Sequence, residues 1–431
     1  MRQVHAVVAG VALLASWATP AAKAQSLAAA TETAAVAPAE RPSVTETPGP
    51  RVEFRFKKRP SLRLGNAIRL DFTARIQADV HGGAGEGTDA GVDTARRRFG
   101  VKGTVSRHLE FELEREIGDS APWRDAFVNI RTFRAVQVRA GQFKMPFSLD
   151  QLTSAGDLDF VYRSRAADLL APGRSLGASV HGRVAAKVIS YEAGLFTRDG
   201  DTARFGSNPG AGRTVAARVG IAARGSARRP GALNDLEAGV SFTGGDVPPG
   251  RYSLRGRLTS RDPFFSPVYV QGRRIRAGAD VNWRPGPFAV RAEVMRDDDE
   301  RRGQGLMGEM LPSLRGQGWY VTGLWAVAGR HAHAASHAGF AGLRGLELAA
   351  RVEQLSFDST GPGGPAVRTP RAARLATVSD EVWTIGLNWD VIRMVRVQLN
   401  AVRERITDTA INAPAATAAE WRPVMRIQFA M

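Results

Sequence analysis

Apolar and polar side chains alternate along most of this chain, and the alternation is complete in residues 68–80. Every second residue there is apolar, while Arg, Asp, Thr and Gln occupy the positions between. A period of two over such a segment indicates a β-strand whose two faces meet different surroundings. After residue 24, no stretch reaches the roughly 18 apolar residues of a membrane-spanning helix. Any part of the chain that crosses a membrane must therefore consist of strands.

The same period predicts strands as far as the end of the chain. We predict sixteen, at 68–80, 95–105, 109–116, 123–131, 135–143, 175–184, 188–197, 213–224, 233–243, 273–284, 287–296, 317–328, 344–357, 379–390, 394–404 and 421–431, and a weak segment at 252–259 could add one. Short turns such as 106–108 alternate with long loops such as 144–174 and 244–272. This asymmetry and an even strand number are typical of outer-membrane barrels. The predicted fold is all-β, a transmembrane antiparallel β-barrel of about 16 strands with apolar side chains outward and polar ones inward.

The N-terminal part has a different composition. We predict a signal peptide at residues 1–24, a flexible linker rich in Ala, Pro and Thr at 25–50, a short pre-barrel segment at 51–67 that could form a hairpin, and the barrel at 68–431. The signal rests on Arg2, an apolar run and a small-residue cleavage site. The absence of cysteine suits a Gram-negative envelope protein. We therefore expect the chain in the Gram-negative outer membrane.

The net charge of +17 comes almost wholly from arginine. Such a charge predicts either nucleic-acid binding or a surface that attracts small anions. The arginines are spread at alternating strand positions instead of forming a basic run, and the signal directs the chain out of the cytoplasm. We therefore expect small anions as partners and no nucleic acid.

A loop of about thirty residues, 144–174, separates two neighbouring predicted strands, and long loops are usually functional. Inside a barrel its natural place is the lumen. There we expect Lys144, Arg163, Arg165 and Arg174 to attract anions at a constriction, with Asp157 and Asp159 orienting them. The expected pore wall comprises Arg75, Arg96, Arg98, Lys102 and Arg139. A three-residue turn at 106–108 would place Lys102 opposite Glu112 and Arg98 opposite Glu116.

Three other patterns favour different chemistry. Residues 173–177 fit the GxSxG motif around Ser175, residues 303–308 fit GxGxxG, and His331, His333 and His337 lie close together. The first motif requires a turn from strand to helix, and the second requires a strand that leads into a helix. Neither context is predicted, so we expect no catalysis and no cofactor. The histidines have no carboxylate nearby and small residues between them, so we expect no metal. An outer-membrane-anchored hydrolase, a general porin without marked anion selectivity, and a secreted β-sandwich that binds acidic polymers remain as alternatives.

Several short motifs resemble the phosphate-selective porin O and P family. They are GQFKMPFS at 141–148, LTS at 152–154 and PGRSLG at 172–177, with weaker matches at 96–98, 125–127, 347–351 and 387–389. The resemblance implies a sixteen-stranded barrel, a third loop inside it and a homotrimer. It also implies passive passage of anions such as phosphate or polyphosphate through a membrane of lipid and lipopolysaccharide. Phosphate-selective members have a lysine cluster in that loop, whereas residues 145–174 here contain arginines and no lysine.

Overall fold

The computed structural model describes residues 52–57, 59–82, 91–118, 123–197, 199–200, 212–223, 235–257, 259, 263–327, 345–359, 378–408, 413–414 and 421–431. The strands are β1 (Val52–Phe56), β2 (Pro60–Leu64), β3 (Ile68–His81), β4 (Gly91–Val105), β5 (Leu109–Glu116), β6 (Trp123–Ile130), β7 (Gln137–Lys144), β8 (Arg174–Val184), β9 (Ile189–Phe196), β10 (Thr214–Ala223), β11 (Leu236–Arg257), β12 (Pro263–Trp283), β13 (Phe288–Arg301), β14 (Leu311–Ala326), β15 (Leu346–Asp358), β16 (Val378–Ile392), β17 (Val395–Asp408), β18 (Ala413–Pro414) and β19 (Trp421–Ala430). The helices are α1 (Leu149–Leu152) and α2 (Arg165–Leu169), with a 3-10 turn at Ala185–Lys187.

Sixteen of these strands close into one antiparallel barrel. Each strand from β3 onward pairs with the next long strand in the chain, and β19 returns to pair with β3, with Phe429 opposite Ile76 and Arg426 opposite Asp79. Closure leaves none of the sixteen as an open edge, which is the condition for a sheet to cross a membrane. No helix in the described ranges is both long and apolar enough to span a bilayer. The predicted barrel is confirmed.

The barrel is apolar outside and polar inside. Ile76 and Ile385 are 43% and 57% exposed, whereas Asp79 and Arg426, which point inward, are 4% and 2% exposed. A soluble sandwich would bury its apolar faces instead. The β-sandwich alternative is therefore wrong, and the assignment of apolar residues to the lipid-facing side is confirmed.

Several strands are longer than predicted. Strands β11 and β12 continue through most of the predicted loop 244–272, so that the weak segment 252–259 belongs mainly to β11 and adds no strand. The end of β13 shows why these strands were predicted too short. Residues 297–299 are all aspartate, although Asp297 and Asp299 point inward and are buried while Asp298 is outward. Beyond the lipid both faces can be polar, so pairing continues where alternation ends.

Strands β1 and β2 form an antiparallel hairpin, and β2 also pairs with β3. This hairpin occupies the segment predicted to precede the barrel. The predicted signal peptide and linker, residues 1–24 and 25–50, lie outside the described residues.

Candidate pore constriction

The connection between β7 and β8, residues 145–173, lies inside the barrel, and we call it loop L3. Its backbone bonds to side chains that point inward from the wall. The Leu149 amide donates to Glu293 at 2.9 Å, the Val161 amide donates to Asn400 at 2.7 Å, and Gln398 donates to the Leu158 carbonyl at 3.0 Å. These partners lie on β13 and β17, which places L3 across the lumen. The predicted position of the long third loop is confirmed.

Asp150, which sequence reasoning missed, joins the two short helices of L3. Its carboxylate accepts hydrogen bonds from the backbone amide and the hydroxyl of Ser164, at 2.8 and 3.1 Å. Ser164 in turn caps α2 by accepting a bond from the Ala167 amide at 3.3 Å. A serine cap satisfies an amide that the first helical turn leaves unpaired. Hydrogen bonds within L3 thus connect its two short helices.

One side of L3 packs against the wall through an apolar cluster. Phe147 and Leu170 of L3 are completely or almost completely buried against Val268, Leu314 and Phe357 of β12, β14 and β15. These wall residues point into the barrel. They are apolar positions in an otherwise polar lining, and L3 covers them. Burial of apolar side chains stabilises this contact. This contact holds L3 on one side of the lumen, and an open space remains on the other side.

Arg165 fastens the same side of L3 to the wall. Its side-chain Nε lies 2.7 Å from Asp380 and 3.7 Å from Glu404, and its backbone amide donates to Glu353 at 2.5 Å. Burial alone would lower the pKa of Arg165, but Asp380 and Glu404 outweigh burial and raise it. The side chain is 4% exposed. Arg165, which we expected at the constriction, is thus held by carboxylates that strands remote in sequence bring to it.

The two predicted aspartates also lie elsewhere. Asp159 is buried and forms an ion pair with Arg291 of β13 at 2.5 Å, and burial raises the pKa of its carboxyl group in spite of that arginine. Asp157 is exposed, and its backbone amide donates to the Ser154 carbonyl at 2.9 Å. Asp159 thus anchors L3 to the wall, and Asp150 connects the two helices of L3.

Between L3 and the wall formed by β3–β8 lies a cavity of about 290 Å³. Seven cations and three carboxylates line it: Arg75, Arg96, Arg98, Arg139, Lys144, Arg163 and Arg174, with Glu112, Glu114 and Asp125. The lining therefore has a formal surplus of four positive charges. Of the predicted site residues, seven meet here, whereas Lys102, Asp157, Asp159 and Arg165 are outside the lining.

Each lining carboxylate already has a cation. Asp125 accepts two bonds from Arg174, at 3.1 and 2.7 Å, and Glu114 lies 3.2 Å from Arg98. Glu112 lies 2.7 Å from Lys102. Arg98 is also bound to Glu116 at 2.6 Å. Both predicted cross-strand pairs, Lys102 with Glu112 and Arg98 with Glu116, are confirmed, and the positive surplus must come from the other lining cations.

Lys144 and Arg163 donate to backbone carbonyls of L3. The Lys144 ammonium lies 2.6 and 2.9 Å from the carbonyl oxygens of Gln151 and Thr153, and Arg163 donates to the Thr153 carbonyl at 2.8 Å and to the Asp150 carbonyl. These carbonyls lie in and after α1, where the helix leaves its acceptors unpaired. Burial lowers the pKa of Arg163. Arg163 also lies 3.9 Å from the Asp150 carboxylate. Both side chains thus bind the L3 backbone at the cavity lining.

Arg75 and Arg96 have neutral partners. Arg75 donates to the Ser154 hydroxyl at 3.0 Å, and Arg96 donates to the Gln77 side-chain oxygen at 2.6 Å. Among the described residues, neither guanidinium has a carboxylate within ion-pair distance, and the Arg75 Nε has no hydrogen-bond partner. Arg139 lies 5.1 Å from the ring centres of both Phe127 and Phe143 and 3.5 Å from Glu192. Arg75 and Arg96 are therefore lining cations without a carboxylate partner among the described residues.

The motifs that suggested other chemistry lie in strands or loops. Ser175 is the second residue of β8, buried and paired with Phe143 of β7, so the strand-to-helix turn of a hydrolase is absent at that described segment. Residues 303–308 connect two strands, β13 and β14. The three histidines lie outside the described residues, and the part of the chain that the structure describes contains no cluster suited to a metal.

A closed sixteen-stranded barrel with a lipid-facing apolar exterior and a charged lumen narrowed by an inner loop defines an outer-membrane channel of Gram-negative bacteria. The model of one family, described as phosphate-selective porin O and P, matches residues 69–431. The chain belongs to this family, which confirms the resemblance. No curated protein sequence matches the chain.

Solved structures show the same fold at low sequence identity. The trimer form of OmpT from Vibrio cholerae is 11% identical with a TM-score of 0.55, covering 85% of this chain and 100% of its own. The DcaP channel of Acinetobacter baumannii is 9% identical with a TM-score of 0.52, covering 85% and 98%. OprB of Pseudomonas putida is 10% identical with a TM-score of 0.50, covering 85% and 94%. At these identities the likeness concerns the fold alone.

Proposed function

We propose that this channel passively conducts small anions, with phosphate-like anions as the natural class, through the cavity beside L3. The observation that carries the proposal is the surplus of four positive charges among the lining residues. A narrow passage with low-dielectric walls and one sign of charge raises the local concentration of counter-ions and repels ions of like charge. Transport of this kind requires no chemistry, cofactor or metal.

The proposed roles of the lining residues follow from their partners. Arg75 and Arg96, which have only neutral partners, attract and contact the anion. Lys144 and Arg163 add charge from the L3 side while they hold its carbonyls. Arg98 and Arg174 are largely neutralised by glutamate and aspartate. Guanidinium groups match phosphate and carboxylate in bidentate geometry, so arginine can serve here without the lysines of phosphate-selective relatives.

The proposal predicts an anion-selective reversal potential for the wild-type protein. In a planar bilayer with a KCl gradient, we expect the potential at zero current to have the sign set by chloride. Phosphate added to one side should reduce the chloride current, because both ions would compete for the same guanidinium groups. A reversal potential near zero would instead indicate a general porin without marked selectivity and would refute the proposal.

We further propose that the channel is a homotrimer surrounded by outer-membrane lipid and lipopolysaccharide, and that residues 1–24 direct its export. Support comes from the broad apolar exterior and from the trimer form known for the structurally similar OmpT. We expect native mass spectrometry in mild detergent to give three times the mass of the mature chain. A single-chain mass at every protein concentration and in every detergent would contradict this assembly.

A further inference from the structure

The hairpin of β1 and β2 completes the barrel wall at its periplasmic rim. The last residue of β19 to pair with β3 is Ala430, opposite Arg75, and the backbones of Met431 and Ala74 bond to each other. Below this point β2 takes over as the neighbour of β3, from Ser61 opposite Asp71 to Leu64 opposite Ile68. The hairpin thus occupies the position next to β3 that the C-terminal strand leaves empty.

The apolar face of the hairpin continues the lipid-facing surface of the barrel. Cross-strand partners lie on the same face of a sheet. Phe54 is opposite Leu62, and Leu62 is opposite Leu70 of β3. Leu70 shares its face with Phe72 and Ile76, the outward side chains of the barrel. The three apolar side chains of β1 belong to this surface and are 65%, 66% and 54% exposed: Val52, Phe54 and Phe56.

The polar groups of the hairpin and of the neighbouring turns suit anionic headgroups. On the opposite face of β1, Arg55 pairs with Glu53 at 2.6 Å. Lys57 and Arg59 stand at the hairpin turn, where Arg59 also lies 3.7 Å from Asp71. Exposed cations occupy further turns along the same rim, between β4 and β5, β6 and β7, and β8 and β9: Arg107, Arg134 and Lys187. Basic residues beside an apolar surface favour contact with anionic lipid.

The free edge of β1 sets the depth of this contact. In the described part of the chain, β1 pairs with β2 alone. Its other edge therefore has backbone groups without a strand partner, which would be costly within hydrocarbon. Water and phosphate oxygens at the bilayer interface can satisfy them. An interfacial position thus suits both the apolar face and the unpaired edge.

We propose that the β1–β2 hairpin is an interfacial anchor that docks on anionic phospholipid of the inner leaflet of the outer membrane. Its apolar face meets the acyl-chain boundary, and its basic turn meets the phosphate groups. The anchor extends the lipid-facing surface across the rim where β19 ends. It is independent of the anion selectivity of the pore.

The chain has no cysteine, so single cysteines can report on this contact. Each residue of β1, 52–56, would be replaced in turn by cysteine, labelled with a nitroxide in the full-length protein, and placed in vesicles of phosphatidylethanolamine and phosphatidylglycerol. We expect oxygen, which concentrates in lipid, to relax the labels at Val52, Phe54 and Phe56. A water-soluble nickel chelate should relax those at Glu53 and Arg55. Five labels equally open to nickel would place the hairpin in water, and labels at 52, 54 and 56 shielded from both reagents would indicate a protein partner; either result overturns the proposal.

Two controls keep the test decisive. Ile76→Cys on the exterior calibrates the signal for lipid, and Met307→Cys, at a residue 93% exposed between β13 and β14, calibrates the signal for water. Channel conductance verifies that each labelled protein is folded. Lys57→Glu should lower the oxygen accessibility at residue 54 in vesicles that contain phosphatidylglycerol, and less so in phosphatidylcholine alone. An equal decrease in both would contradict the assignment of anionic headgroups.

Discussion

Replacing Arg75 and Arg96 together by glutamate is expected to abolish the anion preference of the channel. The two substitutions remove two positive charges and add two negative ones, so the formal surplus of four at the cavity lining becomes zero. The effect should be large because neither arginine belongs to an ion pair in the described residues. The measurement is the reversal potential in a KCl gradient, which should fall from the anion-selective value to near zero.

A graded series makes this prediction sharper. Arg75→Gln with Arg96→Gln leaves a surplus of two, so its reversal potential should lie between those of the wild type and the glutamate variant. Arg107→Glu with Arg134→Glu makes the same change in net charge at exposed periplasmic turns. In about 1 M salt the Debye length is only about 3 Å, so these remote charges should have little effect. If the turn variant lost selectivity as fully as the cavity variant, the site would be refuted.

Replacing Arg165 by methionine is expected to release L3 and to destabilise the protein by about 3–5 kcal/mol, the usual cost of removing one partner from a buried ion pair. Asp380 and Glu404 would remain buried without their cation, and a carboxylate in that state is poorly solvated. Urea unfolding in detergent would measure the free energy. Single-channel recordings should show a larger and noisier conductance, because L3 would no longer be held against the far wall.

The control for this prediction removes the carboxylates as well. Arg165→Met combined with Asp380→Asn and Glu404→Gln leaves no buried charge unpaired and should recover part of the lost stability. Arg296→Met breaks an ion pair with Asp298 that is largely exposed, so its cost should be at most about 1 kcal/mol. Wild-type stability and conductance for Arg165→Met would show that the apolar cluster alone holds L3.

The strand prediction succeeded where the two faces of the sheet lie in different surroundings. Lipid outside and polar groups inside impose a period of two, and the short turn at 106–108 then fixes which residues are opposite each other, as Lys102 and Glu112 demonstrate. It was wrong at the outer ends of β11, β12 and β13. There a strand can remain paired without alternating, so its length is invisible to a hydrophobic pattern.

The sequence by itself determined the class of the molecule, a barrel of sixteen strands with apolar side chains outside and polar ones inside. It also determined the long third loop and the excess of arginine. Only the tertiary structure decided which arginines have carboxylate partners. Arg165 and Asp380 lie 215 positions apart, and Arg75 meets Ser154 across 79 positions, because L3 folds back onto strands from both ends of the chain. Alternation is a local property that each strand records in its own residues. Charge compensation is not local, since a guanidinium is neutralised or left free according to which distant carboxylate the folded lumen brings to it.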